Sequence, residues 1–172
     1  VPLASGKAIA SFGLTEPDAG SDAGGTKTTA ILEGDEFVIN GEKCWITNAS
    51  YAETITITAV TGKNEQGKKI ISAIIVPADT PGLTITRPYE KMGVRASDTT
   101  QIVLDNVRVP KKNILGDSKK GFKQFLYTLD GGRISIAALA VGIAQAAFDR
   151  ALKYAKERVQ FGKSISSFQA IQ

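Results

Sequence analysis

From Thr26 to about Val109, short apolar stretches alternate with polar turn signals, which is the two-residue period of strands and not the 3.6-residue period of helix. Residues 28–32 lead into Gly34-Asp35, and Phe37-Val38-Ile39 leads into Asn40-Gly41, the strongest short hairpin signal available. Strands are expected on both sides of each turn. Residues 54–60 and 70–76 predict two more, joined by the polar loop 62–68, before Pro77 and Pro81-Gly82 break the pairing. Residues 83–87 and 101–104 complete about six strands.

The periodicity changes around Val109-Pro110, and the boundary is expected near residue 115. After Gly116-Asp117 the pattern predicts a short helix near 121–129 and a long one after Gly132. Between Arg133 and Lys156 there is no proline, and Ile136, Ala140, Ile143, Ala147, Ala151 and Ala155 recur at spacings of three or four, an apolar face whose small residues imply close helix packing. Lys153, Lys156 and Arg158 gather where cations favour a helix C-terminus, and Gly162 is placed to end it. Ser166-Ser167 would cap another helix starting at Phe168. The fold class predicted is α+β: an antiparallel β-barrel or sandwich-like domain over residues 1–115, then the first helices of an α-helical bundle domain over 116–172. One long amphipathic helix has too few partners to bury its face, so further helices are expected outside these residues.

Composition narrows the chemistry. The chain of 172 residues, 42% of them hydrophobic, can bury one core. Polar residues interrupt its apolar runs, and no membrane span is expected. Nor is a signal peptide expected. The single Cys44 excludes an internal disulfide and a multi-cysteine zinc site, and the absence of histidine excludes hydrolytic triads that use it. In an apolar stretch beside Trp45, the thiol reads as structural. The net charge is +4, with Lys111, Lys112, Lys119, Lys120 and Lys123 near one another, but no aromatic ladder accompanies them and nucleic acid is not an expected partner.

Four stretches carry candidate chemistry. Gly13-Leu14-Thr15-Glu16-Pro17-Asp18-Ala19-Gly20-Ser21-Asp22 is rich in hydroxyls, and Gly20 allows close approach of backbone N–H groups to a ligand. The same residues also suit a helix cap at Thr15 with turn residues at Asp18 and Asp22. In Glu42-Lys43-Cys44-Trp45-Ile46-Thr47-Asn48, the only tryptophan could belong to the core, or with Thr47 could cover a planar ring and hydrogen-bond its edge. Asp130-Gly131-Gly132-Arg133 reads as the start of the long helix, where free N–H groups and an arginine can meet a phosphate, or simply as a capped end. Arg158-Val159-Gln160-Phe161-Gly162 sets a cation near an aromatic.

In order and spacing, these four stretches together with Phe168-Gln169 resemble acyl-CoA dehydrogenases, and the resemblance covers essentially the whole chain; short-chain and branched-chain members look nearest. It implies the middle β domain and the opening helices of the C-terminal domain of an FAD enzyme. By resemblance, Phe12, Leu14, Thr15 and Ser21 would contact the flavin or its pyrophosphate, and Trp45, Ile46 and Thr47 would flank the isoalloxazine. Ser21, Asp130, Gly131, Gly132 and Arg133 would meet the acyl-CoA, while Arg158, Phe161 and Gln169 would reach the FAD of a neighbouring subunit in a dimer or tetramer. The implied reaction converts an acyl-CoA to a trans-2-enoyl-CoA, with electrons passed to an electron-transferring flavoprotein. The catalytic base of most members lies late in the C-terminal domain, and the turn that carries it in a few resembles Gly132 here, so no residue of this chain is assigned as base. Glu16 and Glu90 are expected to be structural, and the 172 residues alone to be inactive. An acyl-CoA oxidase and a non-catalytic β-barrel binding module are the alternative readings. A bacterial cytoplasm or a mitochondrial matrix fits, the cytoplasm preferred.

Overall fold

A computed structural model describes residues 2–172. Contacts divide the chain into two compact units, one reaching to Leu126 and the other running from Tyr127 to Gln172. In the first, strands β1 (Ala10–Gly13), β2 (Thr29–Glu33), β3 (Glu36–Thr47), β4 (Thr54–Lys63), β5 (Lys69–Pro77), β6 (Leu83–Ile85) and β7 (Thr99–Pro110) form one seven-stranded sheet. The order is β1-β4-β2-β3-β7-β6, with β5 also paired to β4. Most pairs are antiparallel, as the alternation implied, but β1 runs parallel to β4 and β2 meets β4 in parallel at Thr29 and Val60, so the sheet is mixed. β1 was not foreseen, because four residues are too few to display an alternating pattern.

The Gly34-Asp35 turn joins β2 to β3 as expected. Asn40-Gly41 is not a turn, and β3 runs straight through it. Gly41 sits at φ +148°, where a Cβ would fall 2.5–2.8 Å from Thr28, so glycine is required there by close strand approach. The pairing with β7 shifts register between Ile39 and Gly41, and Asn40 Oδ1 accepts a 2.8 Å hydrogen bond from the Asn106 amide across the gap. The dipeptide makes no hairpin and instead faces a bulge in β7, where Asp105 and Asn106 oppose Asn40. Inward positions of the strands supply the core, with Ile39, Ile46, Ile55, Ile57, Ile74, Ile102 and Val107 all buried. Each such side chain contributes roughly 1.5–3 kcal/mol relative to exposure.

Helix α1 (Gly121–Glu157) is a single element of 37 residues where two helices were expected. Gly131 and Gly132 each cost a helix interior about 1 kcal/mol, but the good formers on either side carry the helix through them. The first turn of α1 belongs to the β unit: Phe125 is buried and stacks on Phe12 at 4.1 Å between ring centroids. A Cβ on Gly121 would collide with the backbone of Ser72 and Ala73. The contact division therefore falls inside the helix, later than the change of periodicity near 115. Backbone cannot yield as a side chain tip can, and at the first helical position the gain in propensity is small. Gly121→Ala should accordingly cost roughly 1–3 kcal/mol, read as a lower urea midpoint at unchanged slope.

The second unit holds the rest of α1 and a hairpin of β8 (Val159–Gln160) and β9 (Lys163–Ser164). Phe161 and Gly162, at φ +52° and +76°, form its two-residue turn. Gly162 thus turns a hairpin and does not end the helix, which stops at Glu157. Nor does a helix begin at Phe168: residues 165–167 form a 3-10 turn, and the Phe168 carbonyl accepts only the amides of Ile171 and Gln172. Many apolar residues of α1 beyond Leu126, among them Ile134, Ile136, Val141, Ile143 and Phe148, are exposed. Contrary to the expectation of no such run, α1 is long and apolar enough to cross a membrane by length and composition.

Candidate functional site

Residues 14–28 leave β1, cross the end of β3 and return as β2, and what fixes them is a buried ion pair. Glu16 folds back on Ala19 through two mutual backbone hydrogen bonds of 3.0 and 3.1 Å around Pro17-Asp18. Its carboxylate accepts hydrogen bonds from Thr26 Oγ1 (2.8 Å), the Lys27 amide (2.6 Å), the Thr28 amide (3.1 Å) and Lys43 Nζ (2.7 Å). Lys43, a residue of β3 with 0% side-chain exposure, also donates to Leu14 O, Thr26 Oγ1 and Thr58 Oγ1 at 3.0–3.3 Å. Burial pushes the Glu16 carboxyl up, but the hydrogen bonds from Lys43, Thr28 and Lys27 and the lysine's charge outweigh it and hold the carboxyl at about 2. Burial lowers the Lys43 ammonium, which Glu16 partly offsets.

A carboxyl held below its ordinary 4.5 stabilises the fold above that value, and the stabilisation is lost as pH falls toward 2. We expect about 3 kcal/mol to disappear over that window. The measurement is denaturant stability against pH; a wild-type protein equally stable at pH 3 and pH 6 would contradict it.

The β3–β7 pairing breaks register a second time, between Lys43 and Ile46, where Cys44 and Trp45 of β3 oppose the single residue Gln101 of β7. Trp45 takes φ +60°, a left-handed conformation costly for a large side chain, and its indole is 60% exposed against Tyr89 at 4.5 Å. Trp45 does not join the core, although tryptophan in a strand commonly does. A bulge with a strained residue re-aims a side chain, a device concentrated at functional sites. Beside it opens a cleft of about 360 Å³ lined by Thr15, Glu16, Pro17, Gly20, Cys44, Trp45, Tyr89 and Gln101. The Cys44 amide donates to Thr15 O at 2.9 Å, which ties the loop wall of the cleft to its strand wall.

Of the predicted flavin contacts in this unit, Thr15 and Trp45 line the cleft; Ser21 follows Gly20 on the exposed loop, and Thr47 is the next outward position of β3. The hydroxyls of Thr15, Ser21 and Thr47 have no partner within the described residues, whereas the Thr47 carbonyl accepts from Ser11 at 2.8 Å. Leu14 and Ile46 are buried, so main-chain groups are their route to a ligand, and Phe12 is half-buried under Phe125. Unpaired hydroxyls beside a flat indole suit a planar heterocycle with polar edges, as a flavin has. Cys44 is buried and its thiol is pushed up by burial, in keeping with a structural role. Glu90 is exposed beside Arg87. Lys43, Tyr89 and Gln101 escaped sequence reasoning: Lys43 stands in a strand that also carries Glu36, Asn40 and Glu42, and its buried partner Glu16 lies before β2.

In the second unit, Asp130 and Arg133 pair at 2.7 Å on the exposed surface of α1, and Gly131 and Gly132 lie inside it. The amides of these residues belong to the helix, so the reading of a turn with free N–H groups is overturned and only exposed side chains remain for an anion. The Arg158 guanidinium lies 2.6 Å from the Tyr154 hydroxyl, Phe161 is 92% exposed and edge-on to Phe168, and Gln169 is exposed.

Comparison with known proteins gives a consistent answer. Residues 11–107 match the family model described as acyl-CoA dehydrogenase, middle domain, and residues 119–172 match that of the C-terminal domain. Over 171 residues the chain is 77% identical to "Probable acyl-CoA dehydrogenase YngJ" of Bacillus subtilis, covering 99% of this chain and 45% of that protein. It superposes on butyryl-CoA dehydrogenase from Megasphaera elsdenii with a TM-score of 0.91 at 46% identity, covering 99% of this chain and 44% of that one. A glutaryl-CoA dehydrogenase of Mycobacterium smegmatis in complex with FADH2 gives 0.90 at 38% identity, covering 99% and 42%. The chain spans about half the length of the curated relatives it matches.

Proposed function

Because the chain belongs to the acyl-CoA dehydrogenase family, we propose that it forms part of the FAD and acyl-CoA site of an enzyme that converts a short- or branched-chain acyl-CoA to the trans-2-enoyl-CoA. FAD supplies the acceptor for the hydride lost from Cβ. The observation that carries the reading is Trp45, held outward at φ +60° by a register shift beside the unpaired hydroxyls of Thr15 and Thr47. Trp45 would cover the isoalloxazine face, Thr15 and Thr47 would hydrogen-bond its polar edge, and Ser21 would reach the pyrophosphate or the thioester. Leu14 and Ile46 would contribute main-chain contacts, and Phe12 would back the loop through Phe125.

In the second unit, the Asp130–Arg133 pair and the bare Gly131-Gly132 surface would meet the CoA moiety through side chains and close approach. Arg158, Phe161 and Gln169 would reach the FAD of a neighbouring subunit in a dimer or tetramer, which suits a hairpin that presents Phe161 at 92% exposure. No residue described here serves as the base: Glu16 is consumed by its ion pair, and Gly132 has no side chain. The proposed electron acceptor is an electron-transferring flavoprotein, the proposed compartment the bacterial cytoplasm, and these 172 residues alone are proposed to be inactive. Anaerobic addition of butyryl-CoA and isovaleryl-CoA to the FAD-loaded, full-length protein should bleach its visible flavin absorption. Persistence of the oxidised spectrum with every short straight and branched acyl-CoA would refute the reading.

A further inference from the structure

Lys43 is expensive where it stands. An ammonium with no exposure loses its hydration, and a buried ion pair is often matched or bettered in stability by apolar residues of the same volume. What apolar packing cannot supply is direction. Lys43 Nζ gathers acceptors from three segments: Leu14 O and Glu16 Oε1 from the outgoing arm of the loop, Thr26 Oγ1 from its return, and Thr58 Oγ1 from β4. Thr15 lies between the two acceptors of the outgoing arm, and its own carbonyl takes the amide of Cys44, the residue after Lys43. The register shift that turns Trp45 outward also starts at Lys43. One side chain therefore fixes both walls of the cleft.

From this geometry we infer that Lys43 is the positioning residue of the flavin cleft: without touching a ligand, it sets Thr15 against Trp45 through Leu14, Glu16 and Thr58. The inference rests on the flavin reading above for its consequence, but the positioning itself is measurable without flavin. The informative variant is Glu16→Gln with Lys43→Met, which removes both charges together. A glutamine can still donate to Thr26 Oγ1 and accept from the Lys27 and Thr28 amides, so the base of the loop stays satisfied while the links from Nζ to Leu14 and Thr58 are gone.

In the full-length protein this double variant should melt close to wild type yet bind FAD about tenfold more weakly or worse, with a displaced visible band for the bound flavin. Its Cys44 amide, bonded to Thr15 O, should exchange with solvent at least about tenfold faster even without flavin. A folded double variant with wild-type FAD affinity, flavin spectrum and Cys44 exchange overturns the proposal. If the wild type binds no FAD, the flavin reading fails by itself and the Cys44 exchange still decides the positioning claim. Should the double variant not fold, Thr58→Val keeps the ion pair and removes only the tether to β4. It should then speed Cys44 exchange and weaken FAD binding by a smaller factor, and wild-type values for both would overturn the proposal equally.

Discussion

Lys43→Met alone should destabilise the protein by roughly 3–5 kcal/mol. The loss does not come from the missing Coulomb attraction as such. It comes from Glu16, left charged in a site with 4% exposure, where its other oxygen partners are the Thr26 hydroxyl and the Lys27 and Thr28 amides. Because those three donors persist, the lower half of the range is expected. Total stabilities of domains are about 5–15 kcal/mol, so even that half is a large fraction. Denaturant unfolding checks it, and so does pH: with Lys43 gone, the carboxyl loses a donor and a counter-charge, its pKa rises, and the acid sensitivity expected of wild type between pH 4.5 and 2 should shrink. A Lys43→Met protein as stable as wild type, or one with an unchanged acid limb, would mean that the pair does not set the loop.

That pair also marks the limit of what the sequence displays. The alternation of apolar positions in β2, β4 and β5 is a local property, so those strands were legible to within a few residues. The length of β7 was not, because Asp105 and Asn106 interrupt its alternation at a bulge where Asn106 takes φ +52°. Asn40-Gly41 failed for a related reason: the dipeptide reports a backbone need for special dihedrals, and a strand position facing the β7 bulge satisfies that need as well as a turn does. Only the approach of Thr28 distinguishes the two, and Thr28 is a contact across the sheet. Gly131-Gly132 misled in the opposite direction, since a local penalty of about 1 kcal/mol per glycine is small against the propensity of a long flanking helix.

The candidate site was legible as residues but not as geometry. The hydroxyls of Thr15, Ser21 and Thr47 and the single tryptophan could be picked out by type, and the structure leaves those hydroxyls unpaired. Tyr89 and Gln101 stand far from that loop in the chain; the register of β3 against β7 brings Gln101 to the cleft, and Tyr89 is held there by the hydrogen bond from its amide to Thr99 O. Lys43 was passed over because a lysine in a strand reads as a solvated residue unless its partner is known. Its partner is Glu16, across 27 positions of chain, and local patterning carries no information over that distance.

Trp45→Gly should separate stability from binding more sharply than any other change. Glycine accepts φ +60° freely, so the variant removes a left-handed strain of about 1–2 kcal/mol. Against that gain stand about 0.5–1 kcal/mol of extra backbone entropy lost on folding and about 0.5–1.5 kcal/mol from the lost contact with Tyr89 at 4.5 Å. These nearly cancel, and the unfolding free energy should stay within about 1 kcal/mol of wild type. FAD affinity in the full-length protein should not survive so well. An aromatic platform under a planar heterocycle is worth about 1–3 kcal/mol, so dissociation constants should rise roughly ten- to hundredfold, while Trp45→Phe should retain most of the affinity. The two measurements are a denaturant titration and a flavin titration on the same preparations. If Trp45→Gly binds FAD as tightly as wild type, the strained outward tryptophan has no role in holding the flavin; if instead it unfolds outright, the indole is a structural prop after all, and its exposure in the cleft has been misread as a platform.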